Sequence, residues 1–402
     1  MTTTAHSSRA SDAGILASGG GALAVLLLAI SAFVIVTTEF VIVGLLPSLA
    51  RDLGVSIPTA GWLVTLFAFT VMLFGPILTA LLSHLDRKRL FVTLLLIFAA
   101  SNALAALAPN IWVLALGRFV PALALPVFWG TASETAAKIA GPARSANAVA
   151  NVYLGIAGAM VLGIPVGTLA GTVFGWRGTF WALALLSLVM AALLARVMPR
   201  IAKQTRVPLT HQLRILRDPL FLAHIALSVI IFTASFTAYT YLADLLEQVA
   251  GVSSAAVGWW LMGFGVVGLA GNWLGGYMVG QNPLRATFIV ALVLAIGMAA
   301  TVPMADNQAL LAVPLAVWGL ANTALYPICQ VRVMRAASHA QALAGTLNVS
   351  MANAGIGFGA IIGGAVIERW GVASVGYVAA GVAVVAALAI PFISRLARKS
   401  AV

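Results

Sequence analysis

Charge is what this chain has least of. Asp, Glu, Lys and Arg make up 8% of 402 residues, and only 10 residues are acidic. A soluble domain carries about 25% charged residues, so a water-exposed globular fold is excluded. Cysteine occurs once, at Cys329, which rules out a disulfide framework. The histidines (His84, His211, His224 and His339 among them) show no metal-ligand spacing. There is no Walker sequence and no soluble ATPase domain, which argues against primary pumping. Glycine is so abundant, at 38 residues, that chance Gly-x-Gly-x-x-Gly runs carry no information.

What is present is apolar surface. Hydrophobic residues reach 62%, more than a soluble core can use, so the bilayer must act as solvent. Twelve apolar stretches are long enough, at about 20 residues, to cross roughly 30 Å of hydrocarbon. They lie near 21–46, 59–82, 90–108, 111–137, 146–172, 177–197, 220–246, 255–280, 286–304, 309–334, 340–367 and 372–394. The polar residues 1–19 precede them as an N-terminal tail. The first stretch is too long for a signal peptide, and the even helix count requires it.

The net charge of +12 would point to nucleic acid in a soluble protein. Its placement points elsewhere. Eighteen Lys and Arg residues, from Arg9 through Arg87, Lys138, Arg285, Arg332 and Arg335 to Lys399, fall on one face. Arg51, Arg177 and Arg369 fall on the other, and Arg118 lies inside a segment. This bias puts both termini in the cytoplasm. It adds affinity for anionic lipid head groups and implies no nucleic-acid partner.

The chain repeats itself at about half its length. Gly61-Trp62 recurs as Gly258-Trp259, 197 residues later, each opening an apolar segment that ends in a basic turn. Ala124-Leu125-Pro126-Val127 recurs as Leu325-Tyr326-Pro327-Ile328. Small residues step by four through Gly155, Ala159, Gly163, Gly167 and Gly171, and again through Gly355, Gly359 and Gly363. Such rows let two helix backbones approach closely, and the same smooth faces would let matching helices slide or rock. Residues 199–219 are the one long polar interruption, dividing a bundle at 20–198 from one at 220–395, with 396–402 a cytoplasmic tail. Within that basic linker, Leu209, Leu213 and Leu216 have the spacing of a short interfacial helix, with a plain solvated linker as the alternative.

These features resemble the major facilitator superfamily, and within it the bacterial drug and sugar exporters of the arabinose-efflux type. The resemblance rests on Thr37-Thr38-Glu39-Phe40, Gly44-Leu45-Leu46-Pro47 and Leu53-Gly54-Val55-Ser56 in the first segment. Gly163-Ile164-Pro165-Val166-Gly167, followed by Gly175-Trp176-Arg177, is similar to the family's antiporter motif. Gln330-Val331-Arg332 and Leu347-Asn348-Val349 also fit. The usual acidic loop between helices two and three is altered: Ala80 and His84 stand at its glycine and aspartate positions, and Arg87-Lys88-Arg89 remain. The resemblance implies an all-α membrane protein, twelve helices in two six-helix bundles related by a parallel repeat. It also implies a monomer with no cofactor, driven by the proton motive force.

Within that fold the intramembrane charges are the sharpest candidates, since each costs about 2.5–3.5 kcal/mol at a helix centre. Glu39 and Arg118 are each seven residues from the outer ends of helices one and four, so about 10 Å deep. Equal depth in neighbouring helices predicts an ion pair, with Glu39 as proton carrier and Arg118 tuning it; a static bridge is the alternative. Glu134, one turn before Lys138, is an i, i+4 partner or an inner-gate residue. Gly163, Pro165, Gly167, Gly359 and Gly363 are gating or packing positions. Asp244 follows an aromatic run and sits at the outer face. Phe33, Trp129, Tyr153, Phe236, Tyr239, Asn322, Tyr326, Asn348 and Asn353 are candidate contacts for a small substrate, because binding sites are mostly apolar with a few polar groups.

The expected activity is proton-coupled export of a small, mostly neutral compound, such as a drug, sugar, nucleoside or metabolite, across the bacterial inner membrane by alternating access. The alternatives are a uniporter or importer with a structural Glu39–Arg118 pair, or a transport-dead sensor of the same fold. No cluster of His, Asp and Ser at one depth suggests an enzyme.

Overall fold

A computed structural model of the chain describes residues 19–82, 84–141, 144–199, 201, 212–337 and 341–400. Its described elements are helices. In the first half they are α1 (Gly19–Leu53), α2 (Ile57–Leu82), α3 (Arg87–Ala106), α4 (Ile111–Ala140), α5 (Ser145–Gly158) and α6 (Ile164–Val197). The second half has α7 (Pro219–Tyr239), α8 (Leu242–Gln248), α9 (Ser254–Gln281), α10 (Pro283–Thr301), α11 (Gln308–Ala336), α12 (Gln341–Trp370) and α13 (Val375–Ser400).

Eleven helices among the described residues are long and apolar enough to cross a membrane, and one of them, Asn147–Val197, is 51 residues long. At 1.5 Å per residue that length suffices for two passes. The chain turns back at Gly175, whose φ of 71° is open to glycine but strained for other residues. Beyond the turn the Thr179 hydroxyl donates to the Gly167 carbonyl, twelve residues earlier. Twelve passes result. The seventh is interrupted: α7 ends at Tyr239, and after Thr240 and Tyr241 the short α8 completes the crossing.

The repeat extends to the helix starts. Asp86 accepts the Arg89 N–H to cap α3, and Asn282 accepts the Leu284 and Arg285 N–H groups to cap α10. Asn110 caps α4 and Asn307 caps α11 in the same way. Each cap satisfies amides that the first helical turn leaves without partners.

The glycine rows lie within bundles. A Cβ on Gly155 would meet the Ala29 carbonyl at 2.0 Å, and Cβ atoms on Gly163, Gly167 and Gly171 would strike Thr37, Val41 and Leu45 of α1. In the second half Gly355, Gly359 and Gly363 lie against α7 and the residues just after it, at Phe232, Thr233 and Thr237. The rows therefore seat helices one and five of each half closely against each other.

Between halves the contacts obey the repeat: α2 packs on α12, and α9 packs on the fifth pass. Gly61 lies under Tyr241 and Gly258 under Leu169. Trp62 and Trp259, beside them, point outward and are 60% and 63% exposed, in keeping with a lipid-facing surface.

Most of the polar linker falls outside the described residues, Leu209 included. The stretch Gln212–Arg217, which is described, is a short 3-10 helix.

Candidate functional site

Arg118 is buried in α4, and its guanidinium reaches α1. Nη1 donates to the Thr38 carbonyl, Nη2 donates to the Glu39 carbonyl at 2.7 Å, and the guanidinium carbon lies 4.5 Å from the centre of the Phe67 ring. The Asn102 amide of α3 donates to the Thr38 hydroxyl at 3.2 Å. Helices α1 to α4 thus meet at one point of α1. The ion pair expected from depth is not made: the Glu39 carboxylate and the guanidinium attract one another electrostatically but are not in ion-pair contact. Equal depth was right. The direction of each side chain around its helix decided the partner, and the main chain of α1 presents two oxygens to a forked donor.

The Glu39 side chain, 8% exposed, instead sits in the region where the two bundles meet. The next residue, Phe40, has its ring 6.0 Å from that of Phe236 in α7. Phe236 packs edge-on against Tyr239, and Tyr239 stacks on Phe264. Tyr326 packs against Phe232, lies within electrostatic reach of Glu39 and Tyr239, and has a buried hydroxyl with no hydrogen-bond partner. Glu39, Phe236, Tyr239 and Tyr326 therefore form one cluster at the seam.

The other expected contacts divide among separate places. Phe33 lies against Gly158, and Trp129 packs edge-on against the half-exposed Tyr153. Trp129 also borders a narrow crevice with Val36, Phe128 and Val152 in the first bundle. Asn322 accepts a hydrogen bond from Ser235. Asn348 accepts one from Ser228 at 2.8 Å and donates to Gln330 at 2.8 Å. Asn353 donates to the Val349 carbonyl at 3.1 Å, leaving its own buried oxygen without a partner.

Glu134 binds both Lys138, at 3.0 Å, and Arg87, at 3.2 Å, all within the first bundle. Pro165 follows a π-helical segment, Ala159–Gly163, that widens the fifth pass. Gly265 of α9 packs on that segment at Met160 and Val161. Such single-turn bulges concentrate at functional places, and composition gave no sign of it.

Three features were missed. Arg87 and Arg332, counted with the loop charges, are each 2% exposed and belong to helices. The apolar neighbours Ile328, Cys329, Val331 and Val333 were the available signal for Arg332. At the end of the molecule where α1 finishes, Arg51 binds Glu247 of α8 at 2.7 Å, an ion pair between bundles. Beneath it, the Tyr241 hydroxyl donates to the Ala360 carbonyl at 2.7 Å. Leu242, Ala243, Leu245 and Leu246 of α8 are buried, so this short helix plugs the Arg51 end. Among the described residues no group of three or more His, Cys, Asp or Glu side chains is placed to hold a metal ion.

The model of the Major Facilitator Superfamily matches residues 28–350. The chain belongs to this superfamily. Its members are transporters and not enzymes. The chain is 36% identical to the inner membrane transport protein YdhP of Escherichia coli (strain K12), over 93% of this chain and 96% of that protein. It is 33% identical to the MFS-type transporter YtbD of Bacillus subtilis (strain 168), over 94% and 96%. Among solved structures, a bacterial homologue of the lysosomal transporter Spinster in an inward-facing, unoccupied conformation matches with a TM-score of 0.75 at 16% identity, over 94% of this chain and 98% of that one. The D-xylose–proton symporter matches with a TM-score of 0.73 at 14% identity, over 91% and 96%. At such identity the structures establish the fold alone. This facilitator protein is therefore a multi-pass membrane transporter of two six-helix bundles.

Proposed function

We propose that this protein exports a small organic compound across the inner membrane in exchange for protons, with Glu39 as the proton carrier. The observation that carries the reading is the placement of the Glu39 carboxylate. It is buried at the seam, one residue from a cross-bundle ring contact, and free of any direct ion pair. A carboxyl group that passes between dry and wet settings takes up and gives off a proton as it does so. Rocking of the bundles about this seam supplies that passage. Arg118, fixed to the backbone of α1, holds that stretch of the helix in place and stays within electrostatic reach of the carboxylate.

The orientation follows from the basic residues, which place the Arg51 end outside and the Lys138 end, with both termini, in the cytoplasm. On that reading the described cross-bundle ion pair and the buried α8 close the outer end. The run Gly163-Ile164-Pro165-Val166-Gly167, similar to the antiporter motif, supports export. One proton entering yields about 2.3 kcal/mol per 100 mV, enough for roughly a 50-fold substrate gradient at 1.4 kcal/mol per decade.

The test is substrate-induced proton movement in proteoliposomes, comparing the native chain with Glu39→Gln across drugs, sugars and nucleosides. The expected result is a compound that drives proton flux in the native protein and still binds the variant without moving protons. Equal transport by the variant, with no need for a proton gradient, would replace this reading with facilitated diffusion.

A further inference from the structure

Arg332 is one of three buried arginines among the described residues, and its surroundings differ from those of Arg118, which is held by main-chain oxygens, and of Arg87, which pairs with Glu134. Its Nη2 donates to the Ser228 hydroxyl at 2.8 Å, Nη1 faces His224 Nδ1 at 3.4 Å, and Cys329 lies against it. Its Nε is buried with no hydrogen-bond partner. No Asp or Glu among the described residues makes an ion pair with it. The acid nearest the cluster in effect is Asp218, which acts electrostatically on His224 and caps α7. A full positive charge held in a membrane bundle by neutral groups is costly, and an arginine there is ordinarily matched by an anion.

Two groups beside it can donate as well as accept. The Ser228 hydroxyl and the Asn348 amide both carry hydrogens that can turn toward an incoming oxygen. At present Ser228 donates to Asn348 Oδ1, and Asn348 Nδ2 donates to the Gln330 side-chain oxygen. Gln330 is half-buried, and among the described residues its own amide nitrogen bonds the Met334 sulfur at 3.7 Å. The oxygen of Gln330, a side chain whose nitrogen end is weakly held, thus occupies the position in which Asn348 would meet an acceptor on a ligand.

The location suits a ligand arriving from the cytoplasm. Arg332 is four residues from the end of α11, Asn348 seven from the start of α12 and Ser228 nine from the start of α7. At 1.5 Å per residue the cluster lies on the order of 6–14 Å from the Lys138 end.

We infer that Arg332, Asn348 and Ser228 form a subsite for the carboxylate, or a similar planar oxyanion, of the exported compound, with Gln330 swinging aside to admit it. The inference rests on the export reading and narrows it, from a small organic compound to an organic anion, in place of the mostly neutral cargo expected from the sequence. A guanidinium fork matches a carboxylate with two parallel hydrogen bonds, which would employ the idle Nε.

Cys329 is the sole cysteine and touches Arg332, so it reports on the subsite without engineering. The purified full chain is treated at one pH, with no gradient, with a sulfonate-bearing and a trimethylammonium-bearing methanethiosulfonate. Rates are normalised to those with a free thiol. The expected result is about fivefold preference for the anionic reagent, as one unit charge near the thiol would give. Benzoate should slow that labelling and raise the melting temperature, benzamide should do neither, and Arg332→Gln should abolish the preference and the benzoate effects. Arg332→Lys, which keeps the buried charge and removes the fork, guards against misfolding and should keep the preference while losing most of the benzoate-induced melting shift. Equal normalised rates together with no benzoate-specific melting shift would overturn the inference. If neither reagent labels Cys329, the melting comparison decides alone. These readouts do not depend on proton coupling, so failure here and failure of the antiport reading are separable.

Discussion

Gly61 of α2 lies beneath the hydroxyl of Tyr241, so that a Cβ on the glycine would meet that oxygen at 2.2 Å. The two residues belong to different bundles, and the same hydroxyl donates to the Ala360 carbonyl of α12. The closure at the Arg51 end is therefore built on the absence of one methyl group.

Substituting Gly61→Val should prevent that closure and leave each bundle intact. The expected outcome is loss of transport, little change in melting temperature, and a widened outer end. Spin labels at Leu107→Cys and Gln308→Cys, in a Cys329→Ala background, would report the widening as a longer distance. Gly155→Val is the contrast. There the obstacle is the Ala29 backbone carbonyl within one bundle, and the overpacking should cost about 1–3 kcal/mol or more, seen as a lowered melting temperature.

Glu39→Gln should hardly change stability. Breaking a buried ion pair costs about 3–5 kcal/mol, whereas a carboxylate with no cation in contact should lose less than about 1 kcal/mol on conversion to the amide. A large drop in melting temperature for this variant would show that Glu39 is paired in the working protein.

Arg118→Lys should be harmful even though it keeps the charge. A single ammonium cannot span the Thr38 and Glu39 carbonyls while lying over Phe67. The lost charge-assisted hydrogen bond and ring contact predict a cost of about 2–4 kcal/mol, measured as thermal destabilisation in detergent, with transport falling in parallel.

The Arg51–Glu247 pair should bias the population of states more than stability. Arg51 is 58% exposed, so a double-mutant cycle should give about 0.2–1 kcal/mol of coupling. Placed between bundles, that energy shifts the balance toward the outer-closed state by up to about fivefold. High salt should weaken the bias, read from the same label pair.

Much of this was legible along the chain. The number of passes, the division into halves and the shared depth of Glu39 and Arg118 follow from apolar run length and a fixed rise per residue. The Gly-Trp repeat even marked α2 and α9, two of the helices that meet the opposite bundle. The facts of contact were not legible. Whether Arg118 takes a carboxylate or two main-chain oxygens depends on the angle of each side chain around its helix, which packing sets. Arg332 lies inside the tenth apolar run, 309–334, but two residues from its end, so it was counted with the loop charges; a hydropathy boundary uncertain by about a turn does not separate the membrane surface from a buried cluster. The glycine rows announced close packing without naming their partners. Depth is a property of one segment and is written in its sequence. Neighbours belong to pairs of segments that can lie more than a hundred residues apart, and only their packing together decided which side chains meet.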